Sequence, residues 1–218
     1  MPLDQQAPII YQITSGEATN QTLAIDTARI LRLVAAAVAA RVSLIQLREK
    51  NLSAHALYEL TERAAGIIAG SATRLLVNDR ADIARAAGAD GVHLTTRSLD
   101  AGLVRRAFGE DFLIGVSAHT LAEAEAARAG GADFAVFGPI FATPSKAGYG
   151  APVGIEKLRA ASQTLNPFPL VALGGITREN AAEALKAGAS GVAAIRALSD
   201  QQNLEETVRI MRGEAGML

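Results

Sequence analysis

Apolar runs of strand length alternate along this chain with longer stretches in which apolar residues recur every three or four positions. Ile9-Ile10-Tyr11-Gln12-Ile13 predicts a first strand. Over 22–40, Leu23, Ala24, Ala28, Leu31, Ala35 and Val38 fall near the 3.6-residue period of a helix. The same contrast predicts further strands at 42–47, 74–77, 91–94, 112–116, 134–137, 170–173 and 191–195. Helices are predicted between them, at 53–69, 80–87, 99–108, 120–129, 154–165 and 177–187, with a last one at 204–211. Ser53, Asp79 and Thr120 each precede a helical stretch and can accept a hydrogen bond from its free N–H groups.

A short repeat marks the joints. Ala87-Gly88-Ala89-Asp90-Gly91, Ala129-Gly130-Gly131-Ala132-Asp133 and Ala187-Gly188-Ala189-Ser190-Gly191 each close a helix and open an apolar strand. A glycine there fits the left-handed residue that ends many helices. Repeated strand–helix units imply a parallel sheet, and eight of them imply a single (β/α)8 TIM barrel spanning 1–218. The rival, an open doubly wound sheet, lacks its usual sign here: no G-x-G-x-x-G turn follows the first strand.

Composition narrows the chemistry. The chain has 218 residues, 45 of them alanine, and only 4% are aromatic. The core is therefore expected to be aliphatic, with closely packed helices. Lys and Arg number 21 against 22 acidic residues, a formal charge of −1, so the electrostatic footprint of a nucleic-acid binder is missing. There is no cysteine, which excludes disulfides, thiolate metal sites and a cysteine nucleophile. The longest apolar run, 33–40, is far short of the roughly 20 residues that span a bilayer. No basic stretch followed by an apolar core opens the chain. A soluble cytoplasmic protein without nucleic-acid or membrane partners is expected; a homo-oligomer stays open.

In such a barrel the active site lies at the carboxyl ends of the strands, and polar residues gather there. Strand alternation puts Gln46, Arg48 and Lys50 on one side and Leu47 and Glu49 on the other. An amide and two cations aimed at one place suit a polyanion such as diphosphate, although a surface cluster is the plainer alternative. Asn78 and Asp79 end the third strand; Asp79 could hold Mg²⁺ or cap the next helix. His93 reads as a hydrogen-bonded structural residue. Ser117 and His119 fall at the mouth, where His119 could move protons near neutral pH. His55 sits among polar helical neighbours and is expected to be solvated. The longest irregular stretch, 138–153, carries Thr143, Ser145 and Lys146 and resembles a lid or binding loop. Gly174 and Gly175 end the seventh strand before Thr177. With 191–196 of the eighth strand they match the phosphate site common to these barrels.

Taken in order, IQLREK (45–50), LVNDR (76–80), ADGVHL (89–94) and GVSAHT (115–120) resemble the thiamine-phosphate synthase/TenI family. So do FGPI (137–140), TPSK (143–146), ALGGIT (172–177) and 187–195, so that the likeness covers nearly the whole chain. The family fold is the same barrel. The resemblance implies thiamine biosynthesis: hydroxymethylpyrimidine diphosphate joins a thiazole phosphate carboxylate, with release of diphosphate and CO₂. It assigns Gln46, Arg48, Lys50 and Asn78 to the pyrimidine diphosphate and Asp79 to Mg²⁺. Ser117 would lie against the pyrimidine. Thr143, Ser145 and Lys146 would meet the thiazole substrate and the departing diphosphate. Gly174, Gly175 and the Ile195–Arg196 backbone would bind the thiazole phosphate. Ser117, Lys146 and His119 are the candidate catalytic residues.

Two departures bear on activity. Similar synthases follow the His-Leu pair with Gly-Gln-Glu-Asp, whose Asp is a second Mg²⁺ ligand, whereas this chain reads Thr95-Thr96-Arg97-Ser98. Asp100 lies two residues further on and is expected at a helix start. Arg196 stands where a small residue is usual, placed to crowd the phosphate or to clamp it. These changes keep two alternatives open. One is a TenI-type thiazole tautomerase with His119 as its acid–base group; the other is a non-catalytic regulator that binds thiazole or thiamine phosphate.

Overall fold

The computed structural model describes residues 8–143 and 152–214. Eight strands run in chain order: β1 (Ile9–Ile13), β2 (Leu44–Leu47), β3 (Arg74–Asn78) and β4 (Gly91–Leu94), then β5 (Leu113–Ala118), β6 (Phe134–Phe137), β7 (Leu170–Leu173) and β8 (Gly191–Ala194). Each pairs in parallel with the next, and β8 pairs with β1, closing the barrel. The helices between them are α1 (Leu23–Ala39), α2 (Ala54–Ile68), α3 (Ala81–Ala86) and α4 (Ala101–Phe108), followed by α5 (Leu121–Ala129), α6 (Ile155–Leu165), α7 (Ala181–Lys186) and α8 (Leu204–Met211). No helix among the described residues is long and apolar enough to cross a membrane.

Strand alternation sorts the core into two layers. Inside the barrel lie Ile9, Tyr11, Ile13, Leu44, Leu76, Leu113, Phe134, Val136, Val171 and Ala193. Outward-facing Ile10, Ile45, Leu47, Leu75, Ala135 and Val192 pack against the helices with Ile30, Val34, Leu60 and Ala64. Alanines such as Ala37, Ala64, Ala124, Ala161 and Ala184 are fully or almost fully buried at these seams. A one-carbon side chain lets helix and sheet approach closely, which accounts for the alanine content.

The repeated joint has a second purpose besides ending a helix. Asp90 Oδ2 accepts the N–H of Leu75 at 2.8 Å and Asp133 Oδ2 accepts that of Ile114 at 2.7 Å. Ser43 Oγ does the same for Ile10 at 3.2 Å. A polar residue just before one strand thus satisfies an N–H at the start of the preceding strand, which would otherwise be a costly buried orphan. Arg105 braces one of these carboxylates: its guanidinium reaches Asp133 Oδ2 at 2.8 Å, the Gly131 carbonyl at 2.9 Å and the Phe112 carbonyl at 2.7 Å.

Most boundaries agree with the sequence reading within two residues, and two differ for local reasons. The expected helix at 177–187 begins only at Ala181. Asn180 Oδ1 accepts the Thr177 N–H at 2.8 Å while its Nδ2 donates to the Gly175 carbonyl at 2.9 Å, folding 177–180 into a side-chain-bonded turn. Asp79 does not cap α3. That place falls to Arg80, which makes no side-chain cap bond. Ser53 and Thr120 do cap their helices, through the N–H groups of Ala56 and Glu123.

Candidate active site

The carboxyl ends of the strands bring together most of the residues singled out above. On β2, Gln46 shares the inner face with Leu44, 1% exposed, and its amide nitrogen has no hydrogen-bond partner among the described residues. Arg48 follows two positions later, half-buried. Its N–H donates to Thr14 Oγ1 at 2.8 Å and its guanidinium lies 3.4 Å from the Ser15 carbonyl. Gly16, at φ 80°, leaves room for that guanidinium: a Cβ there would stand 2.8 Å from Arg48 Nη1. Glu49 points the other way, as alternation requires. It is 2% exposed and accepts the N–H groups of Gly16 and Ala18 at 3.3 and 3.0 Å. The carboxylate therefore holds the β1–α1 loop in the shape that seats Arg48. Gly16 and Glu49 were not candidates in the sequence; the signal available was an acidic residue on the apolar side of a strand end, which needs donors to be buried. Lys50 follows, exposed at the rim.

Asn78 and Asp79 end β3. Asn78 is buried, whereas Asp79 is exposed and adopts φ 63°. Among the described residues Arg41 is the one other non-glycine with positive φ. That conformation is tolerated by Asp but uncommon, and such residues cluster at functional sites. The Asp79 N–H donates to the His93 carbonyl at 2.9 Å, fixing the turn. Beyond β4, Ser98 Oγ accepts the Thr95 N–H at 2.7 Å and lies 3.0 Å from Thr95 Oγ1. These hydroxyls bond each other, and Arg97 is exposed. Asp100 caps α4 through the Gly102 N–H at 2.8 Å, the helix-start position anticipated for it.

Inside the mouth, Tyr11, His93 and Ser117 form a chain. Tyr11 Oη lies 3.2 Å from His93 Nδ1, and His93 Nε2 lies 2.9 Å from Ser117 Oγ. Burial, reinforced by the Arg48 and Lys50 charges, pushes the His93 pKa down from 6.5 to about 3, so the imidazole is neutral at ordinary pH. His93 is hydrogen-bonded and buried, as the sequence reading held, but its partner Ser117 is itself a site residue. His119, exposed, bonds the Gly138 carbonyl through Nδ1 at 2.5 Å. A carbonyl only accepts, so Nδ1 carries a proton, and in the neutral imidazole Nε2 is the acceptor. His55 is exposed and sits 3.3 Å from Glu59, away from the mouth.

The β6–α6 and β7–α7 loops close the far side. Phe141 N–H donates to the Gly174 carbonyl at 2.9 Å. Gly174 and Gly175 have φ 98° and 64°, and a Cβ on Gly175 would stand 2.6 Å from the Ala142 carbonyl oxygen. Both glycines are thus required by conformation and by close packing of the two loops. Arg196 extends from the turn after β8 to Thr143, Nη2 to Oγ1 3.4 Å, bridging the eighth and sixth loops. Ser145 and Lys146 lie outside the described residues.

Comparison with known proteins agrees with this geometry. Residues 10–198 match a family model described as thiamine monophosphate synthase. The thiamine-phosphate synthase of Moorella thermoacetica is 41% identical over 182 residues, covering 84% of this chain and 86% of that protein. That of Roseiflexus sp. is 35% identical over 211 residues, covering 97% and 86%. Among solved structures, a thiamine phosphate pyrophosphorylase from Pyrococcus furiosus superposes with TM-score 0.76 at 27% identity, covering 96% of each chain. The chain belongs to the thiamine monophosphate synthase/TenI family.

Proposed function

We propose that the barrel mouth joins hydroxymethylpyrimidine diphosphate to a thiazole phosphate carboxylate, forming thiamine phosphate and releasing diphosphate and CO₂. The observation that carries this reading is the buried Gln46 amide nitrogen near Arg48 at the end of β2, which has no hydrogen-bond partner among the described residues. An orphan donor beside two cations at a strand end is a group prepared for a ligand acceptor. Arg48 and Lys50 receive the charge that develops on the departing diphosphate. Gln46 and Asn78 orient that substrate, and Ser117 meets its pyrimidine ring. Thr143, Gly174, Gly175 and the Ile195–Arg196 segment hold the thiazole phosphate, so that its ring nitrogen is in register to attack the carbon that diphosphate leaves. The family resemblance assigns Ser145 and Lys146 to the same substrate.

Asp79 would hold Mg²⁺. The described residues contain no group of three His, Asp or Glu that could bind a metal unaided. One exposed carboxylate still fits an ion that takes its remaining ligands from substrate phosphates and water. The ion would supply charge neutralisation on the diphosphate. Phosphorylated substrates of this kind would place the reaction in the cytoplasm. Purified protein with Mg²⁺ and both substrates is expected to form thiamine phosphate and diphosphate in equal amounts; no product refutes the proposal.

A second activity, thiazole tautomerisation, is favoured by one observation, the His119 Nδ1 bond to the Gly138 carbonyl, which in the neutral imidazole leaves Nε2 as a proton acceptor. It predicts that His119→Ala abolishes aromatisation of the thiazole while Lys50→Ala preserves it; the opposite pattern excludes it.

A further inference from the structure

Tyr11 is fully buried in the apolar barrel interior, edge-on to Phe134 with ring centroids 5.7 Å apart. Its hydroxyl has one hydrogen-bond partner among the described residues, His93 Nδ1. Two proton arrangements satisfy the distances, and they are not equivalent. If Nδ1–H donated to the phenol oxygen, the phenol proton would be left without an acceptor among the described residues of the buried core, the costly arrangement for a buried donor. If the phenol donates to Nδ1, every group in the chain is paired. The imidazole then carries its proton on Nε2 and donates to Ser117 Oγ, 2.9 Å away. A lone pair of Ser117 is occupied from below, and its own O–H is left to point into the mouth.

We infer that Tyr11 and His93 are positioning residues that fix Ser117 as a hydrogen-bond donor, so that the ligand atom meeting it is an acceptor. On the proposed function, which supplies the ligand, that acceptor is a ring nitrogen of the pyrimidine. The reverse tautomer would consume the serine proton on Nε2 and offer the ligand only lone pairs. A buried phenol some distance from the substrate thereby sets the polarity of a contact in the mouth.

The chain has three histidines, so ¹⁵N-labelled histidine with His93→Gln as the assignment control reads the tautomer directly. The expected result is Nε2 protonated and Nδ1 bare in the wild type. In Tyr11→Phe, which removes one oxygen and keeps the ring, the Nδ1 and Nε2 resonances should lose that polarisation. Kinetically, Tyr11→Phe should raise KM for the pyrimidine diphosphate about 5- to 50-fold, in line with loss of one oriented hydrogen bond, with KM for the thiazole phosphate unchanged. In a Ser117→Ala background the same substitution should have no further effect, because Tyr11 acts through Ser117. An Nδ1-protonated His93 in the wild type, equal effects on both substrates, or additive effects in the double variant would each overturn the inference. If the wild type makes no thiamine phosphate, the synthase reading fails. The tautomer spectrum and calorimetric titration of the pyrimidine diphosphate still decide the relay.

Discussion

Replacing Gln46 by Met should stabilise the free protein and weaken it as a binder. Gln46 is 1% exposed and its amide nitrogen has no partner among the described residues. A buried donor left unpaired costs about 1–3 kcal/mol. Met has nearly the same length and volume, fills the same inner-face position above Leu44, and brings no N–H. The stability gained should raise Tm by roughly 2–10 °C for a chain of this size. The ligand loses one hydrogen bond, about 0.5–3 kcal/mol according to whether its acceptor is neutral or charged, or roughly 2- to 150-fold in affinity. Scanning calorimetry without ligand measures the first effect, and isothermal titration of the pyrimidine diphosphate with Mg²⁺ measures the second. A Met variant that melts lower than wild type while binding equally well would refute the claim that this amide is held ready for a ligand.

Other outcomes follow from the same geometry. His93 has its folded pKa depressed to about 3 against 6.5 for the free side chain, so between these values the unfolded chain binds the extra proton. Its contribution is fully present above pH 6.5 and is lost as pH falls toward 3, at up to about 1.4 kcal/mol per pH unit; urea titrations should show that slope flattened in His93→Gln. Arg105→Ala removes bonds to Asp133, Gly131 and Phe112 at the amino end of β5. It should cost about 2–4 kcal/mol, seen as a lower urea midpoint at unchanged slope. Gly175→Ala forces a Cβ to 2.6 Å from the Ala142 oxygen at φ 64°; equilibrium binding should show weakened thiazole phosphate affinity with Kd for the pyrimidine diphosphate retained. Asp79→Asn keeps the backbone but halves the carboxylate's capacity as a hard ligand, so the Mg²⁺ concentration for half-maximal diphosphate binding should rise at least severalfold in titration calorimetry.

The alternation of strand and helix was legible because each strand is buried on both faces and reads as a continuous apolar run, while each helix shows one apolar stripe. The start of α7 was not legible in this way. Thr177 to Asn180 carry no residue that breaks a helix, and what stops the helix there is the Asn180 side chain bonding to Thr177 and Gly175. That competition lies between side chain and backbone, and apolar spacing does not register it. The orientation of Gln46, Arg48 and Glu49 was legible for a simpler reason, since alternation on a strand is purely geometric. The Tyr11–His93 bond was not, because it joins residues 82 positions apart and Tyr11 stands in an apolar strand where an aromatic reads as core.

Charge placement accounts for both the scaffold and the site. The formal charge of −1 spreads over a barrel with different chemistry at its two ends. At the amino ends of the strands, Asp90 and Asp133 accept strand N–H groups and pair with Arg74 and Arg105. Their charge is thereby taken up in framework bonds. At the carboxyl ends Arg48 and Lys50 rise from β2, and the intervening Glu49 is turned outward onto the β1–α1 loop. Had Glu49 faced inward, it would have neutralised the cation beside it and repelled a diphosphate. Turned outward, the same carboxylate shapes the loop whose Gly16 makes room for Arg48. Thr95 to Ser98 add no further carboxylate to this rim, and their hydroxyls close on each other. On the proposed function, Arg48 and Lys50 would hold the diphosphate together with the metal at Asp79. Arg48→Ala should then weaken diphosphate binding in titration calorimetry even at saturating Mg²⁺, and unchanged affinity would refute that role.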